Sequence, residues 1–198
     1  MAYLCGVKNS LWLLIILVCS SGAFATDVPA GNVSGTWTLA NSPYLINGNI
    51  RLAPNDTLHI EPGVDVIFQS QYYFRILGNF EALGAAGDSV SFTAPTNNPG
   101  WFGIKLDSLA ASSDTARFEY CRISNMKNGG INVINTSKVV FNHCRIYDNL
   151  DMYIGAIYTA LGSISLSHCT FQNNDSNSGA EGSAMYIWDA SPTIVDCD

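Results

Sequence analysis

The amino-acid sequence predicts an all-β solenoid with about six coils and three short strands per coil. Three observations lead to this prediction. Short segments alternate apolar and polar residues, which is the periodicity of strands, and turn-forming residues separate them. These segments fall into registers that recur about once per coil, at steps of 23 to 32 residues. Four cysteines occupy one position of the repeat, at steps of 23, 25 and 28 residues.

The N-terminal segment 1–25 has the order of a secretory signal peptide. Lys8 precedes an apolar run over residues 11–18, and the small residues Ala23 and Ala25 follow. We expect cleavage after Ala25 and a secreted or cell-surface protein. No membrane span is predicted, because the apolar run is shorter than the about 20 residues that a spanning helix needs.

The mature chain is expected to contain one solenoid domain. Residues 26–45 are predicted to be a lead-in or cap, and residues 46–198 are predicted to form the solenoid. With Lys8 removed, 8 cationic and 16 acidic residues give a net charge of −8 (8 − 16). Nucleic acid is therefore not an expected partner.

Three registers predict the strands of each coil. The first register contains residues 56–60, 88–92, 114–118, 137–141, 162–166 and 191–194. The second contains residues 48–52, 78–80, 103–106, 130–133, 155–157 and 184–187. The third contains residues 121–123, 144–146, 169–171 and Cys197. A bend is predicted between Phe141 and Cys144, since an unbroken strand would point these two side chains to opposite faces.

The first register also predicts one inward column of apolar side chains. Its members are Leu58, Val90, Ala116, Val139 and Ile164. An antiparallel sandwich is the main structural alternative, because it too has short strands at regular spacing. Recurrence at whole-coil steps favours the parallel solenoid, and the Leu-x-x-Leu pattern of leucine-rich repeats is absent.

With these registers the chain resembles the right-handed parallel β-helix proteins, the pectate-lyase-like superfamily. The resemblance covers roughly residues 46–198. The stretch 48–106, with Asn-Asp-Thr-Leu-His-Ile-Glu-Pro-Gly-Val at 55–64 and Gly-Trp-Phe-Gly-Ile at 100–104, resembles the N-terminal coils of secreted bacterial surface proteins. This resemblance implies a right-handed parallel β-helix and a secreted protein. It says little about activity, since the same solenoid carries lyases, hydrolases and adhesins.

The cysteine column has three open interpretations. Cys121, Cys144, Cys169 and Cys197 can form a buried column of free thiols, which we favour. Disulfides are an alternative, because stacked strands place equivalent Cα atoms about 4.8 Å apart, within the range for a bridge. A metal thiolate site is the third interpretation, although no Cys-x-x-Cys pair supports it.

Polar residues recur next to the cysteines and predict three further columns. Asn125, Asp148 and Asn173 follow the third register and are interpreted as a turn ladder with hydrogen bonds from coil to coil, calcium binding being the alternative. Tyr120, His143, His168 and Asp196 are predicted to form an outward column, with transition-metal binding as the alternative. Arg122 and Arg145 are predicted to lie beside it, on a solvated face or in a groove for acidic sugars.

No catalytic, cofactor-binding or metal-binding residue is assigned from the sequence. The carboxylates Asp148, Asp151, Asp175, Glu181 and Asp189 do not assemble into a pair or a calcium cluster. We therefore predict a non-catalytic structural, adhesin-like or glycan-binding module, whose partner is an extracellular polysaccharide or cell-surface glycan. The alternative is a polysaccharide lyase or glycoside hydrolase with its active site in further coils. The chain ends one residue after Cys197, so additional coils or a sorting domain are expected beyond residue 198.

Overall fold

A computed structural model describes residues 25–97, 99–107, 109, 115–151, 155–176 and 183–198. The predicted signal peptide falls on residues 1–24 and so lies outside the described residues. No helix in the described part of the chain is long and apolar enough to cross a membrane.

The strands form three parallel sheets. Sheet A contains β1 (Thr26–Val28), β4 (Tyr44–Ile46), β7 (Asp65–Phe68), β10 (Val90–Thr93), β13 (Cys121–Ser124), β16 (Arg145–Tyr147) and β20 (Thr170–Gln172). Sheet C contains β3 (Gly35–Trp37), β6 (Thr57–Ile60), β9 (Asn79–Leu83), β12 (Ala116–Glu119), β15 (Val139–Asn142), β19 (Ile164–Ser167) and β23 (Thr193–Val195).

Sheet B has the same order but forks at its end. It contains β2 (Gly31–Asn32), β5 (Ile50–Leu52), β8 (Tyr73–Ile76), β11 (Trp101–Asp107) and β14 (Met126–Ile134). Beyond β14, one branch is β17 (Leu150–Asp151) with β21 (Asp175–Ser176), and the other is β18 (Ile157–Ala160) with β22 (Met185–Trp188).

The chain visits sheets A, B and C in turn, so it winds as a solenoid of about six turns, as predicted. Every pairing between these strands is parallel, and this excludes the antiparallel sandwich. Residues 26–45, expected to be a lead-in or cap, include β1 to β3, which already pair in register with the next level.

The core is the interior of the solenoid, where each strand contributes every second side chain. The inward residues of the middle levels are fully buried, while those between them face outward. Phe118 is representative, because its ring stacks on Phe141 at 4.5 Å and contacts Phe80 at 4.9 Å. Neighbouring levels therefore supply most of the contacts of each buried ring.

The predicted inward column is correct in four members and wrong in one. Ala116, Val139 and Ile164 align in sheet C below Leu58, but Phe80 occupies the position that was assigned to Val90. Val90 lies in sheet A and pairs with Cys121. The prediction thus places each of two segments one strand too early in the coil. Residues 78–80 belong to sheet C instead of sheet B, and residues 88–92 lead into sheet A instead of sheet C. The cause is loop length: Leu58 and Phe80 are separated by 22 residues, whereas the next coil takes 36 residues to reach Ala116.

The predicted bend before each cysteine is confirmed. Tyr120, His143, His168 and Asp196 have left-handed φ angles of 47°, 51°, 52° and 49°. This single residue reverses the parity of the chain between sheet C and sheet A, so the apolar side chain before it and the cysteine after it both face the core.

Candidate functional site

The outer surface of sheet B carries one column of polar and aromatic side chains, which we call the sheet B column. The pairing of the strands aligns, from the first level to the last, Arg51, Arg75, Lys105, Asn132, Tyr158 and Tyr186. The first five alternate with buried neighbours on their own strands and so face outward, and Tyr186 continues the column in register with Tyr158. These residues are up to 135 positions apart in the sequence (186 − 51), and only coil stacking brings them together.

The cations in the middle of this column have partners of their own. The guanidinium of Arg75 donates from Nε and Nη2 to the Asp107 carboxylate at 2.9 to 3.1 Å, a bidentate ion pair. Lys105 Nζ lies 4.4 Å from the centroid of the Tyr73 ring, a cation–π contact. Arg75 is therefore neutralised by a carboxylate, whereas Lys105 keeps its positive charge against the Tyr73 ring.

The far end of the column is aromatic. The rings of Tyr158 and Tyr186 stack with their centroids 5.8 Å apart and an interplanar angle of 30°. Trp188, two residues beyond Tyr186 on the same strand, is 58% exposed. Asn132 lies one level before Tyr158 and presents an amide beside the rings. Aromatic faces next to a hydrogen-bonding amide form a surface that can receive a ring with both apolar and hydroxyl groups.

The corner between sheets C and A carries the predicted outward column, and its placement is confirmed. Tyr120 stacks on His143 at 4.5 Å, and His143 stacks on His168 at 4.6 Å with an interplanar angle of 5°. His168 Nε2 lies 3.6 Å from the Asp196 carboxylate, on the next level. Among the described residues, no group of three His, Cys, Asp or Glu side chains is arranged to hold a metal ion.

The predicted turn ladder is confirmed in part. Asn125, Asp148 and Asn173 all have left-handed φ angles, and Asn173 Nδ2 donates to Asp148 Oδ1 at 3.0 Å. Asn125 bonds instead toward the preceding level, where its Nδ2 donates to Thr93 Oγ1 at 3.0 Å and to Ala94 O at 3.1 Å.

A second asparagine ladder lies one residue further along the chain and was missed from the sequence. Asn149 is 3% exposed, its Oδ1 accepts from the Met126 N–H at 2.9 Å, and its Nδ2 donates to Asn174 Oδ1 at 2.9 Å. Asn174 Nδ2 donates in turn to Ile146 O at 2.9 Å. The doublets 148–149 and 173–174 were the available signal, since each has a second polar residue at the same coil position.

The four cysteines are free thiols in one column, as favoured from the sequence. Cys121, Cys144 and Cys169 are buried, and Cys197 is partly exposed. The thiol of Cys144 donates to Phe118 O at 3.3 Å. Burial, together with the neighbouring Cys121 thiol, raises the pKa of Cys144 well above its usual value. Cys169 also has a strongly raised pKa, because it contacts the Cys144 thiol and is removed from water. These thiols act as apolar core groups.

The outer surface of sheet C contains a network of ion pairs that the sequence did not reveal. Arg117 lies between two carboxylates, with 3.9 Å to Glu81 and 3.7 Å to Glu119. His59 extends the network on one side, at 3.6 Å from Glu81, and Asn142 extends it on the other, donating to Glu119 at 3.4 Å. Their sequence separation hid this arrangement, because four successive coils contribute to it.

The structure describes the side chains of three of the five carboxylates considered from the sequence, and the side chain of Asp151 is not among them. Asp148 accepts from Asn173, and Asp175 Oδ1 accepts from the backbone N–H of Ser176 at 2.7 Å. Asp189 is exposed at a turn. Glu181 lies outside the described residues.

Three parallel sheets wound by one continuous chain define a β-solenoid. The family model for the right-handed β-helix region matches residues 45–198, and the chain belongs to this family. This match covers more than three quarters of the sequence and supplies the handedness. No curated protein and no solved structure matches the chain.

Proposed function

We propose that this protein is a secreted or cell-surface β-solenoid that binds an extracellular glycan on the sheet B column. The observation that carries this proposal is the in-register, stacked pair of Tyr158 and Tyr186, with the exposed Trp188 beside it. Tyrosine and tryptophan supply large contact areas with few rotatable bonds, so little conformational entropy is lost on binding.

The far end of the column, with Asn132, Tyr158 and Tyr186, carries no charge, and this favours a neutral glycan there. Arg75 is neutralised by Asp107, and Lys105 lies on the ring of Tyr73. A sugar ring placed on Tyr158 or Tyr186 would therefore meet aromatic carbon and the Asn132 amide. The amide offers both a donor and an acceptor for hydroxyl groups. The parallel strands continue this surface along the solenoid axis, which suits an extended polymer.

Glycan-array binding by the mature protein tests this proposal. We expect binding to at least one neutral polysaccharide, and a loss of about tenfold in affinity for Tyr158→Ala or Tyr186→Ala, as expected when an aromatic contact of about 1.4 kcal/mol is removed. Tyr120→Ala is the matched control, because Tyr120 is an outward tyrosine on a different corner. Equal binding by the control and by the two sheet B variants would overturn the proposal.

A second candidate function is a polysaccharide lyase or glycoside hydrolase. The specific observation in its favour is the pair Glu81 and Glu119, held on either side of Arg117 on sheet C. Glycoside hydrolases use two carboxylates about 5–10 Å apart. Release of reducing ends or of unsaturated uronides that disappears in Glu119→Gln would establish this activity, whereas identical rates in wild type and variant would exclude the pair.

A further inference from the structure

We infer that Arg122 and Arg145, on the outer surface of sheet A, form a binding site for a carboxylate or sulfate group on an extracellular polymer. This site is separate from the sheet B column and does not depend on the neutral-glycan proposal. Four features of the two arginines support it: their register, their lack of acidic partners, the fixed position of one of them, and the chemistry of the guanidinium group.

The two arginines lie directly opposite each other on adjacent strands. Arg122 of β13 pairs in register with Arg145 of β16, and both side chains are exposed. Their Cα atoms are therefore about 4.8 Å apart. Like charges directly opposite each other across two strands are unfavourable for folding. Fold stability therefore does not explain this arrangement.

Among the described residues, no acidic side chain forms an ion pair with either arginine, although acidic residues outnumber basic ones by 16 to 9 in the sequence. The ion pairs between described residues involve other cations, namely His59, Arg75, Arg117 and His168. In the same column the neighbours are the hydroxyl residues Ser91 and Thr170. Asp65 and Asp198 come next, each two strands from the nearer arginine and hence about 10 Å from it.

The nearest acidic groups on adjoining elements already have partners. Glu119, before the corner, is held by Arg117 and Asn142. Asp148, after β16, accepts from Asn173. Consequently neither carboxylate is available to the arginine pair without losing an existing contact.

Arg145 is held in place without being neutralised. Its Cζ lies 4.5 Å from the centroid of the Tyr147 ring, and its Nη2 donates to Gln172 Oε1. Both contacts leave the positive charge intact and leave other N–H donors free. Arg122 adds a second set of five N–H donors on the preceding level. A planar guanidinium binds carboxylate and sulfur or phosphorus oxyanions through two parallel hydrogen bonds, so two adjacent guanidiniums form a donor surface for one such group or for successive groups of a polymer.

Binding of defined polymers tests this inference. The mature protein is titrated with polygalacturonate, which carries carboxylates, with dextran sulfate, which carries sulfates, and with uncharged dextran. We expect at least one charged polymer to bind, with an affinity that falls as the sodium chloride concentration is raised. The polymer that binds more tightly shows whether the site prefers a carboxylate or a sulfate. Arg122→Gln and Arg145→Gln should each weaken binding at least tenfold, and the double variant should abolish it.

Two controls separate this site from the other properties of the protein. Lys127→Gln removes one positive charge from β14, outside both the arginine pair and the sheet B column, and should change the affinity less than twofold. The unfolding midpoint of the Arg122→Gln/Arg145→Gln variant should equal or exceed that of the wild type, since a repulsion is removed. The Tyr158→Ala/Tyr186→Ala variant should still bind the charged polymer. Equal binding by wild type and the double arginine variant, or binding by neither charged polymer, would overturn the inference.

Discussion

Truncation of Phe118 to alanine is expected to destabilise the protein by about 5 kcal/mol, at the upper end of the range for a buried phenylalanine. The side chain is fully buried in the middle of the solenoid. Its ring contacts those of Phe141, Phe80 and Phe92 at centroid distances of 4.5, 4.9 and 6.2 Å. Each aromatic pair adds about 0.5–1.5 kcal/mol beyond area burial, and these contacts come from three different strands.

The matched control is Phe171→Ala. Phe171 lies in β20, the last strand of sheet A, where β16 pairs with it on one side and the Asp198 carbonyl accepts from its N–H on the other; its side chain is partly buried. We expect a loss of about 2 kcal/mol, because about half of the contacts are present. Urea unfolding with linear extrapolation measures both losses, and equal m-values check that the same cooperative unit unfolds. Equal losses of unfolding free energy in the two variants would refute the claim that neighbouring levels stabilise each buried ring. A loss below about 2 kcal/mol for Phe118→Ala would refute it as well.

Three further predictions concern the thiols, the asparagine ladder and the N-terminus. Iodoacetamide at pH 8 should modify Cys197 rapidly but Cys144 and Cys169 only after unfolding, because their raised pKa values keep them protonated; peptide mapping that finds equal labelling would contradict this. Asn149→Ala should cost about 2–3 kcal/mol in urea unfolding, since buried backbone groups lose their partners, and a loss below about 0.5 kcal/mol would show that the ladder is not stabilising. Mass spectrometry of the secreted protein should find Thr26 as the first residue, and retention of Met1 would disprove cleavage after Ala25.

Much of the fold could be predicted from the sequence, because the solenoid repeats the same local chemistry in each coil. The cysteine column, the bends before it and the outward stack beginning at Tyr120 recur at nearly constant spacing from residue 116 onward, and the structure confirms them. Before that point the spacing is irregular. Phe80 and Val90 were assigned to the wrong strands, since alternation identifies a strand but not the sheet to which it belongs.

The candidate sites were less accessible to sequence reasoning. Tyr158 and Tyr186 are separated by 28 residues, and the Glu81–Arg117–Glu119 network draws on two coils, so neither forms a local motif. The tyrosine pair and the Glu81–Arg117 contact depend on the register of parallel pairing, and a shift of one residue would turn every side chain to the opposite face. The alignment of Arg122 with Arg145 could be predicted from the sequence, because each follows a cysteine of the repeating column by one residue.

Native-state hydrogen exchange tests most directly the central claim that each level is stabilised by the levels on either side of it. Amides of Ile131, Phe141 and Ile157 lie in levels with paired strands on both sides, and they should exchange slowly, near the rate of global unfolding. Amides of Ile187 and Ile194 lie in β22 and β23, at the edges of sheets B and C, and they should exchange much faster. Uniform protection across all five residues would contradict stabilisation by neighbouring levels.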